Sequence, residues 1–208
     1  MGGDYTLIYF PLRGRAELVR YCFHYGNIPY KNQEITMEEW PNYKPTTPMG
    51  GLPILEHGGH RLCQSLAIAR HAAREAKLLG QSSCEQAQAD MYVDGVADVV
   101  PACTPILFAL MAGDMDKKNE EYAKLKSGAL ATFLDRYEKF LTDNGTGYFV
   151  GKQLTWADLA VAEFLNRIYV CLDPDVFAKH PGLKKHHDMV HALPNIKKYV
   201  DGRKQYPL

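Results

Sequence analysis

The chain has 208 residues, of which 46% are hydrophobic and 23% are charged. This is ordinary globular composition, which excludes the disordered and fibrous classes. Lysine plus arginine equals aspartate plus glutamate at 24 each, so no overall charge draws the protein toward nucleic acid or an anionic membrane. We therefore expect a small-molecule ligand, with no nucleic acid and no membrane partner.

The five cysteines are odd in number and widely spaced, with no Cys-x-x-Cys pair: Cys22, Cys63, Cys84, Cys103 and Cys171. This pattern favours reduced thiols over a disulfide framework. No signal peptide is recognisable at the start, and no apolar run approaches membrane-spanning length. We therefore expect a cytoplasmic protein.

The first part of the chain alternates short strand and helix patterns. Strands are predicted over residues 5–10 and 30–35, on either side of a helix over residues 15–25. The apolar spacing of that helix runs through Ala16, Val19, Arg20 and Phe23. A short irregular helix over residues 38–43 follows and is stopped by the prolines after it.

Two further strands, over residues 52–56 and 61–63, are joined at Gly58-Gly59, a dipeptide that tolerates the positive φ angles of a tight hairpin. The sheet is therefore mixed. Ser65 is predicted to cap a helix that runs to about residue 76. This order of elements is typical of an α/β thioredoxin-like domain, which we assign to residues 1–80.

From residue 84 to residue 208 the sequence predicts only helices, so the second domain is an all-α bundle. Helices are expected over residues 84–111, 119–143 and 155–171, with shorter pieces around His186 and Ile196. Thr155 and Asp158 have the spacing of a capping box, which satisfies two backbone amides at a helix start.

A thioredoxin-like fold does not by itself define a function. In thiol oxidoreductases of this fold, the turn after the first strand carries a Cys-x-x-Cys pair. Here that turn reads Phe10-Pro11-Leu12-Arg13, without cysteine. Disulfide exchange is therefore disfavoured.

Several motifs in the right order cover the whole chain: Tyr9-Phe10, Arg13-Gly14-Arg15-Ala16-Glu17, Trp40, Lys44, Leu52-Pro53-Ile54-Leu55, Gln64-Ser65-Leu66-Ala67-Ile68-Ala69-Arg70 and Thr155-Trp156-Ala157-Asp158. With these motifs the chain resembles cytosolic glutathione transferases of the sigma class, the class that includes haematopoietic prostaglandin D synthase. The resemblance implies an enzyme that uses glutathione as co-substrate, binds no metal and forms a homodimer.

The resemblance implies that Tyr9 and Arg15 are the catalytic residues. Tyr9 would donate a hydrogen bond to the glutathione sulfur, and the Arg15 guanidinium would favour the thiolate further. Arg13 is the rival for the role of Arg15. Without the surrounding motif, Tyr9 would be interpreted as an ordinary aromatic residue at a strand end.

The resemblance also implies the remaining glutathione contacts, which are Trp40, Lys44, Gly51, Leu52, Pro53, Gln64, Ser65 and Asp98. Trp40 and Lys44 would meet the glycyl carboxylate, and the backbone before a cis Pro53 would pair with the cysteinyl part. Gln64 and Ser65 lie where a strand ends and a helix begins, a place suited to the γ-glutamyl carboxylate. Asp98 would reach the γ-glutamyl amino group across the dimer interface. Gly51 stands where relatives often carry lysine.

For the second substrate we expect an open, largely apolar pocket formed by Phe10, Gly14, Cys103, Thr104, Leu107 and Leu208. Pro105 falls where the vertebrate prostaglandin synthase has a tryptophan, and Ala97 falls where it has a metal-binding acid. These departures argue against prostaglandin D synthase activity.

The leading hypothesis is conjugation of the glutathione thiolate to hydrophobic electrophiles. A glutathione-dependent prostaglandin isomerase or peroxidase uses the same thiolate and stays an alternative. A second alternative is a non-catalytic carrier of haem or other hydrophobic ligands. His187 and His191 have the spacing of a zinc helix, but no third ligand is evident, and a surface helix is the favoured interpretation.

Overall fold

The computed structural model describes residues 4–206 and divides into two compact units. The first unit contains the described residues up to Leu79 together with Leu193–Tyr206, and the second is Gly80–Ala192. The sequence predicts a single helical domain over residues 84–208. The last helix belongs to the first unit instead, because its side chains bond there: Asn195 Nδ2 donates to the backbone oxygen of Tyr25 at 3.3 Å.

The first unit is built on a four-stranded sheet in the order β2-β1-β3-β4. The strands are β1 (Tyr5–Tyr9), β2 (Tyr30–Glu34), β3 (Ile54–His57) and β4 (His60–Cys63). β1 runs parallel to β2 and antiparallel to β3, and β3 runs antiparallel to β4. The predicted mixed sheet is therefore confirmed.

Four helices belong to the same unit: α1 (Glu17–Tyr25), α2 (Trp40–Tyr43), α3 (Ser65–Glu75) and α10 (Pro194–Gly202). A 3₁₀ turn, Gly14–Ala16, precedes α1, and a second one, Lys44–Thr46, follows α2. The helix predicted from residue 15 therefore begins two residues later, after a tighter first turn.

The position of β1 at the centre of the sheet determines where Tyr9 lies. Leu7 is fully buried and Ile8 is 1% exposed, as expected for a strand covered on both faces. Tyr9 is the last residue of β1, and the 3₁₀ turn and α1 follow it closely along the chain. The carboxyl end of this strand therefore meets the start of a helix, where open α/β sheets commonly bind ligands.

The second unit is helical throughout its described elements, as predicted: α4 (Ser83–Val99), α5 (Thr104–Ala112), α6 (Met115–Ser127), α7 (Ala129–Asn144), α8 (Trp156–Cys171) and α9 (Pro181–His191). Two of the predicted long helices are each divided in two. The 84–111 helix is interrupted by a 3₁₀ turn at Val100–Cys103, where Pro101 cannot donate a helical hydrogen bond. The 119–143 helix breaks at Gly128, whose φ of −110° and ψ of −107° leave the helical region.

α8 is the buried central helix of the second unit, and its start is stabilised by the predicted capping box between Thr155 and Asp158. Asp158 also accepts from the backbone N–H of Phe149 at 3.0 Å and contacts His186 Nε2 at 2.9 Å. Because its oxygens are used by the fold, Asp158 is a structural acid.

Among the described residues, the helical segment Ser83–Ala112 is long and apolar enough to cross a membrane, judged by length and composition alone. This finding differs from the expectation, based on the sequence, that no apolar run approaches membrane-spanning length. The segment joins α4, the 3₁₀ turn and α5, and 22% of its apolar window is buried. A single helix of this kind is weak evidence for a membrane span.

Candidate functional site

The hydroxyl of Tyr9 is held at the end of β1 by the loop that follows. The backbone N–H of Arg15 donates to Tyr9 Oη at 3.1 Å. Tyr9 is 7% exposed. A tyrosine hydroxyl can both accept and donate, so accepting from Arg15 leaves its own hydrogen to be donated. Tyr9 can therefore act as a directed hydrogen-bond donor.

Gly14 allows the loop to approach the Tyr9 hydroxyl closely. Its φ of +41° lies in the region that favours glycine, and a Cβ at this position would lie 2.6 Å from Tyr9 Oη. A side chain at Gly14 would therefore push against the hydroxyl. The predicted acceptor-pocket residue Gly14 thus also controls the geometry of Tyr9.

The two arginines of this loop have different surroundings. Arg15 is exposed, whereas Arg13 is 3% exposed. Nε and Nη1 of Arg13 have no hydrogen-bond partner among residues 4–206 and are covered by protein. A ligand that enters from solvent can meet Arg15 but not these atoms of Arg13. The geometry therefore favours Arg15 over its rival.

Aromatic and basic side chains lie beside the sheet on α2 and the turn after it. Trp40 packs against the buried cluster of Ile8, Ile35 and Ile54, and its ring meets the Phe10 ring edge-on at 5.2 Å. Lys44 is exposed at the start of the 3₁₀ turn. Trp40 is thus fixed by packing, while Lys44 presents its positive charge to solvent.

The segment before β3 contains Gly51, Leu52 and Pro53. The Leu52-Pro53 peptide bond is cis, the isomer implied by the resemblance. Leu52 packs against the same apolar cluster as Trp40. A Cβ built at Gly51 meets no atom within 4 Å, so a side chain has room there.

The start of α3 has the features of an anion site. Gln64, not Ser65, is the N-cap residue, and its side chain makes no cap hydrogen bond within the part of the chain that the structure describes. Gln64 has a φ of 72°, which is a costly backbone conformation for a residue other than glycine. Such conformations cluster at active sites and ligand-binding segments. The prediction that Ser65 caps α3 is therefore wrong, since Ser65 is the first helical residue. The amide groups of this turn are the donors that helix starts offer to anions.

The remaining predicted residues lie in the second unit or outside the described part. Asp98 is exposed on α4. Cys103 and Leu107 are half-buried, and Thr104 is the exposed first residue of α5. Burial raises the pKa of the Cys103 thiol, so this cysteine is a poor competing nucleophile. Leu208 lies outside the described residues.

Sequence reasoning missed a buried ion pair behind Tyr9. Arg20 and Glu17 are 2% and 0% exposed, and Arg20 Nη1 contacts Glu17 Oε2 at 2.8 Å. The sequence did contain a signal for this pair, since Arg20 is a charged residue at a predicted apolar position of the helix. A charge that is buried there needs a partner of opposite charge.

The histidine pair of α9 is used in packing. His187 is buried, its ring stacks on that of His191 at 4.1 Å, and its Nε2 contacts Asn166. The surface-helix interpretation is therefore wrong for His187. Within residues 4–206, no group of three His, Cys, Asp or Glu side chains is placed to hold a metal ion.

Comparison with known families agrees with this geometry. Residues 5–74 match the model of the glutathione S-transferase N-terminal domain, and residues 102–203 match that of the glutathione S-transferase C-terminal domain. The chain belongs to the glutathione S-transferase family. It is accordingly a transferase with glutathione as co-substrate.

Similar transferases align over nearly the whole chain. Glutathione S-transferase 1 of Ascaris suum is 36% identical over 98% of both chains, and hematopoietic prostaglandin D synthase of Gallus gallus is 38% identical over 96% of both. The crystal structure of the glutathione S-transferase from Ascaris lumbricoides superimposes with a TM-score of 0.90, at 36% identity, covering 99% of this chain and 100% of that one. The thioredoxin-like domain and the helical domain are thus those of glutathione S-transferases.

Proposed function

We propose that this transferase activates glutathione through Tyr9 and conjugates it to hydrophobic electrophiles. Glutathione supplies the sulfur nucleophile. The observation that carries the proposal is the 3.1 Å hydrogen bond from the Arg15 amide to Tyr9 Oη, which leaves the tyrosine hydrogen free to point at the sulfur. A hydrogen bond to a charged acceptor is worth about 1.5–3 kcal/mol, so this donor favours the thiolate.

Arg15 is proposed to add a positive charge near the same sulfur. Its exposure at the start of α1 supports this role, since the start of a helix is an unfavourable place for a cation without a compensating anion. A ligand with negative charge supplies that compensation. Arg13 is buried, so a ligand that enters from solvent does not reach its Nε and Nη1 atoms.

The rest of the tripeptide is proposed to lie between two groups of donors. Lys44 and the Trp40 indole meet the glycyl carboxylate, and the start of α3 at Gln64 and Ser65 meets the γ-glutamyl carboxylate. The N-cap Gln64, whose side chain makes no cap hydrogen bond in the described part of the chain, and the exposed Lys44 support this arrangement. A tripeptide with a carboxylate at each end has the matching charges.

Within the first unit, the electrophile is proposed to meet Phe10 and Gly14. These residues are small or apolar, which suits bulky hydrophobic acceptors. The similarity to nematode transferases and to hematopoietic prostaglandin D synthase supports a place in the sigma class. Conjugation of hydrophobic electrophiles is proposed to serve detoxification.

We also propose a homodimer in which Asp98 serves the glutathione site of the partner subunit. In the second unit, α4 and α7 border a groove of about 1040 Å³ that contains Asp98 and the 53% exposed Met91. An exposed apolar side chain beside such a groove supports burial by a second copy. A related structure is described as the monomeric Na-GST-3 of Necator americanus, at 32% identity, so sedimentation of this protein is a necessary test.

Prostaglandin isomerisation is the second candidate, and the 38% identity with the Gallus gallus synthase favours it. Pro105 and Ala97 depart from the resemblance at positions that matter for that activity. Carriage of haem is the weaker alternative, because the α4 groove is lined by three aspartates, Asp90, Asp94 and Asp98, against the single arginine Arg136, and this excess of negative charge repels a ligand that carries carboxylates. The five unbridged cysteines support a cytoplasmic location.

The test is conjugation of glutathione to a chlorodinitrobenzene-type acceptor by the wild type, Arg15→Gln and the control Arg74→Gln. Arg74 is exposed in the last turn of α3, away from the start of that helix. We expect turnover by the wild type and by Arg74→Gln, and a loss of about tenfold for Arg15→Gln at neutral pH. Tight binding of haem or bile pigments without any turnover would contradict the proposal and favour a carrier.

A further inference from the structure

A buried ionic network lies directly behind the loop that carries the donor to Tyr9. Arg20 Nη1 donates to Glu17 Oε2 at 2.8 Å and to the backbone oxygen of Leu12 at 2.9 Å, with a longer contact of 3.5 Å to the oxygen of Arg13. Its Nε donates to Asn32 Oδ1 at 3.1 Å. One guanidinium therefore joins the loop, α1 and β2.

The contacts of Arg20 fall just before the atoms that hold the Tyr9 hydroxyl. The carbonyls of Leu12 and Arg13 immediately precede Gly14 and Arg15, and the Arg15 amide donates to Tyr9 Oη. Arg20 Cζ also lies 6.0 Å from the centroid of the Tyr9 ring. Any shift of Arg20 would move the loop and the ring together.

The C-terminal segment holds the other side of this network. Glu17 Oε1 accepts from Tyr199 Oη at 3.0 Å and from Arg203 Nη1. Glu34, which pairs with Tyr9 in the sheet register, accepts from Lys204 and Tyr206. Residues 199–206 thus bind both the helix and the strand that flank Tyr9.

This network is an inefficient way to gain stability. Both charges of the Arg20–Glu17 pair are buried, and the desolvation of a buried ion pair commonly offsets its Coulomb energy. Burial lowers the pKa of Arg20, but Glu17 and the neighbouring tyrosines raise it by more in total, so Arg20 keeps its charge. Geometric control of the loop is a better account of the pair than stability.

We propose that Arg20 is a positioning residue for glutathione activation, and that Glu17 and Arg203 keep it in place, so that the C-terminal segment controls how the loop presents the Tyr9 hydroxyl. This inference rests on the proposed role of Tyr9. Arg20 touches neither the sulfur nor the acceptor in this account. It acts through the loop carbonyls and Tyr9.

The test is a titration of the thiolate absorbance of glutathione bound to the purified enzyme. The variants are Arg20→Lys, which keeps the charge but loses the planar guanidinium, and Arg203→Gln, which removes the Arg203 contact from Glu17 while leaving Arg20 and the Tyr199 hydrogen bond in place. Arg203→Lys is the conservative rescue. Lys197→Gln is the matched control, because it breaks the exposed Lys197–Asp201 ion pair on α10, the helix that Arg203 directly follows.

We expect Arg20→Lys and Arg203→Gln to raise the pKa of the bound thiol by about half a unit to one unit, which means about three to ten times less thiolate below that pKa. Arg203→Lys and Lys197→Gln should titrate as the wild type does. In the absence of glutathione, hydrogen exchange at the Arg15 amide should be faster in Arg203→Gln and unchanged in Lys197→Gln.

Tyr9→Phe separates this inference from the proposed function. If Tyr9→Phe leaves the thiol pKa unchanged, the role of Tyr9 is wrong; if it raises the pKa while Arg203→Gln does not, only the positioning role is wrong. In the double variant Tyr9→Phe/Arg203→Gln, no further rise is expected, because the C-terminal contact acts through Tyr9. Additive shifts would also overturn the inference. Should Arg20→Lys fail to fold, the Arg203 variants decide the question.

Discussion

Removal of the Tyr9 hydroxyl is the sharpest perturbation of the site. Tyr9→Phe keeps the ring on β1 and deletes the one oxygen that accepts from the Arg15 amide. A hydrogen bond to a charged acceptor is worth about 1.5–3 kcal/mol, or one to two pKa units, and an unperturbed thiol titrates near about 8.5. The bound thiol should therefore titrate between about 6.5 and 7.5 in the wild type and near 8.5 in the variant.

These values give a pH-dependent loss of activity. At pH 6.5 the wild type would hold about 10–50% thiolate and the variant about 1%, so kcat should fall roughly tenfold to fiftyfold. Above pH 9 both proteins would hold mostly thiolate, and the gap should nearly close. The measurement is kcat for conjugation from pH 6 to pH 9.5.

Tyr122→Phe is the matched control, because it also removes a hydroxyl from a tyrosine that bonds a carboxylate, Asp173, at 2.6 Å in the second unit. It should lower the free energy of unfolding without changing the pH profile. An unchanged profile in Tyr9→Phe, or a loss of equal size at every pH, would refute the reasoning.

Three further predictions follow from single positions. Gly14→Ala places a Cβ 2.6 Å from Tyr9 Oη at a φ of +41°, so kcat should fall about tenfold or more; unchanged kcat would contradict the close approach. Gly51→Lys has open space and adds a cation near the glycyl end, so calorimetry should give a glutathione Kd about two to five times lower, and an equal or higher Kd would count against this placement of the tripeptide. Burial lowers the pKa of His187, so the folded protein keeps it neutral and loses stability as pH falls below about 6.5. The loss of unfolding free energy between pH 7.5 and pH 5.5, measured by denaturation, should therefore be smaller in His187→Gln, and half-buried His24 should account for part of what remains.

Local signals in the sequence were sufficient for much of the fold. Gly58 and Gly59 predicted the hairpin, and both have positive φ. The capping box at Thr155 predicted the start of α8 to within one residue, because it depends on side chains three positions apart. The break at Gly128 was missed because a single glycine inside a helical pattern is usually tolerated, and its backbone conformation depends on the packing of the two helices around it.

The sequence predicts the glutathione site only as a set of motifs. No single residue pattern distinguishes Tyr9 from another strand-end tyrosine, and the difference between Arg13 and Arg15 became apparent only from their burial. The bonds of Arg20 to Leu12 and Asn32 join residues 8 and 12 positions apart, and Glu17 meets Arg203 across 186 positions. Such contacts depend on tertiary structure and leave no periodic signal in the sequence.

The central claim is that Tyr9 holds the glutathione sulfur. A crystal structure of the protein with bound glutathione tests it most directly. The account predicts the sulfur within hydrogen-bond distance of Tyr9 Oη, on the side of the hydroxyl away from the Arg15 amide. A sulfur that lies instead beside a cysteine such as Cys63, out of reach of Tyr9, would contradict it.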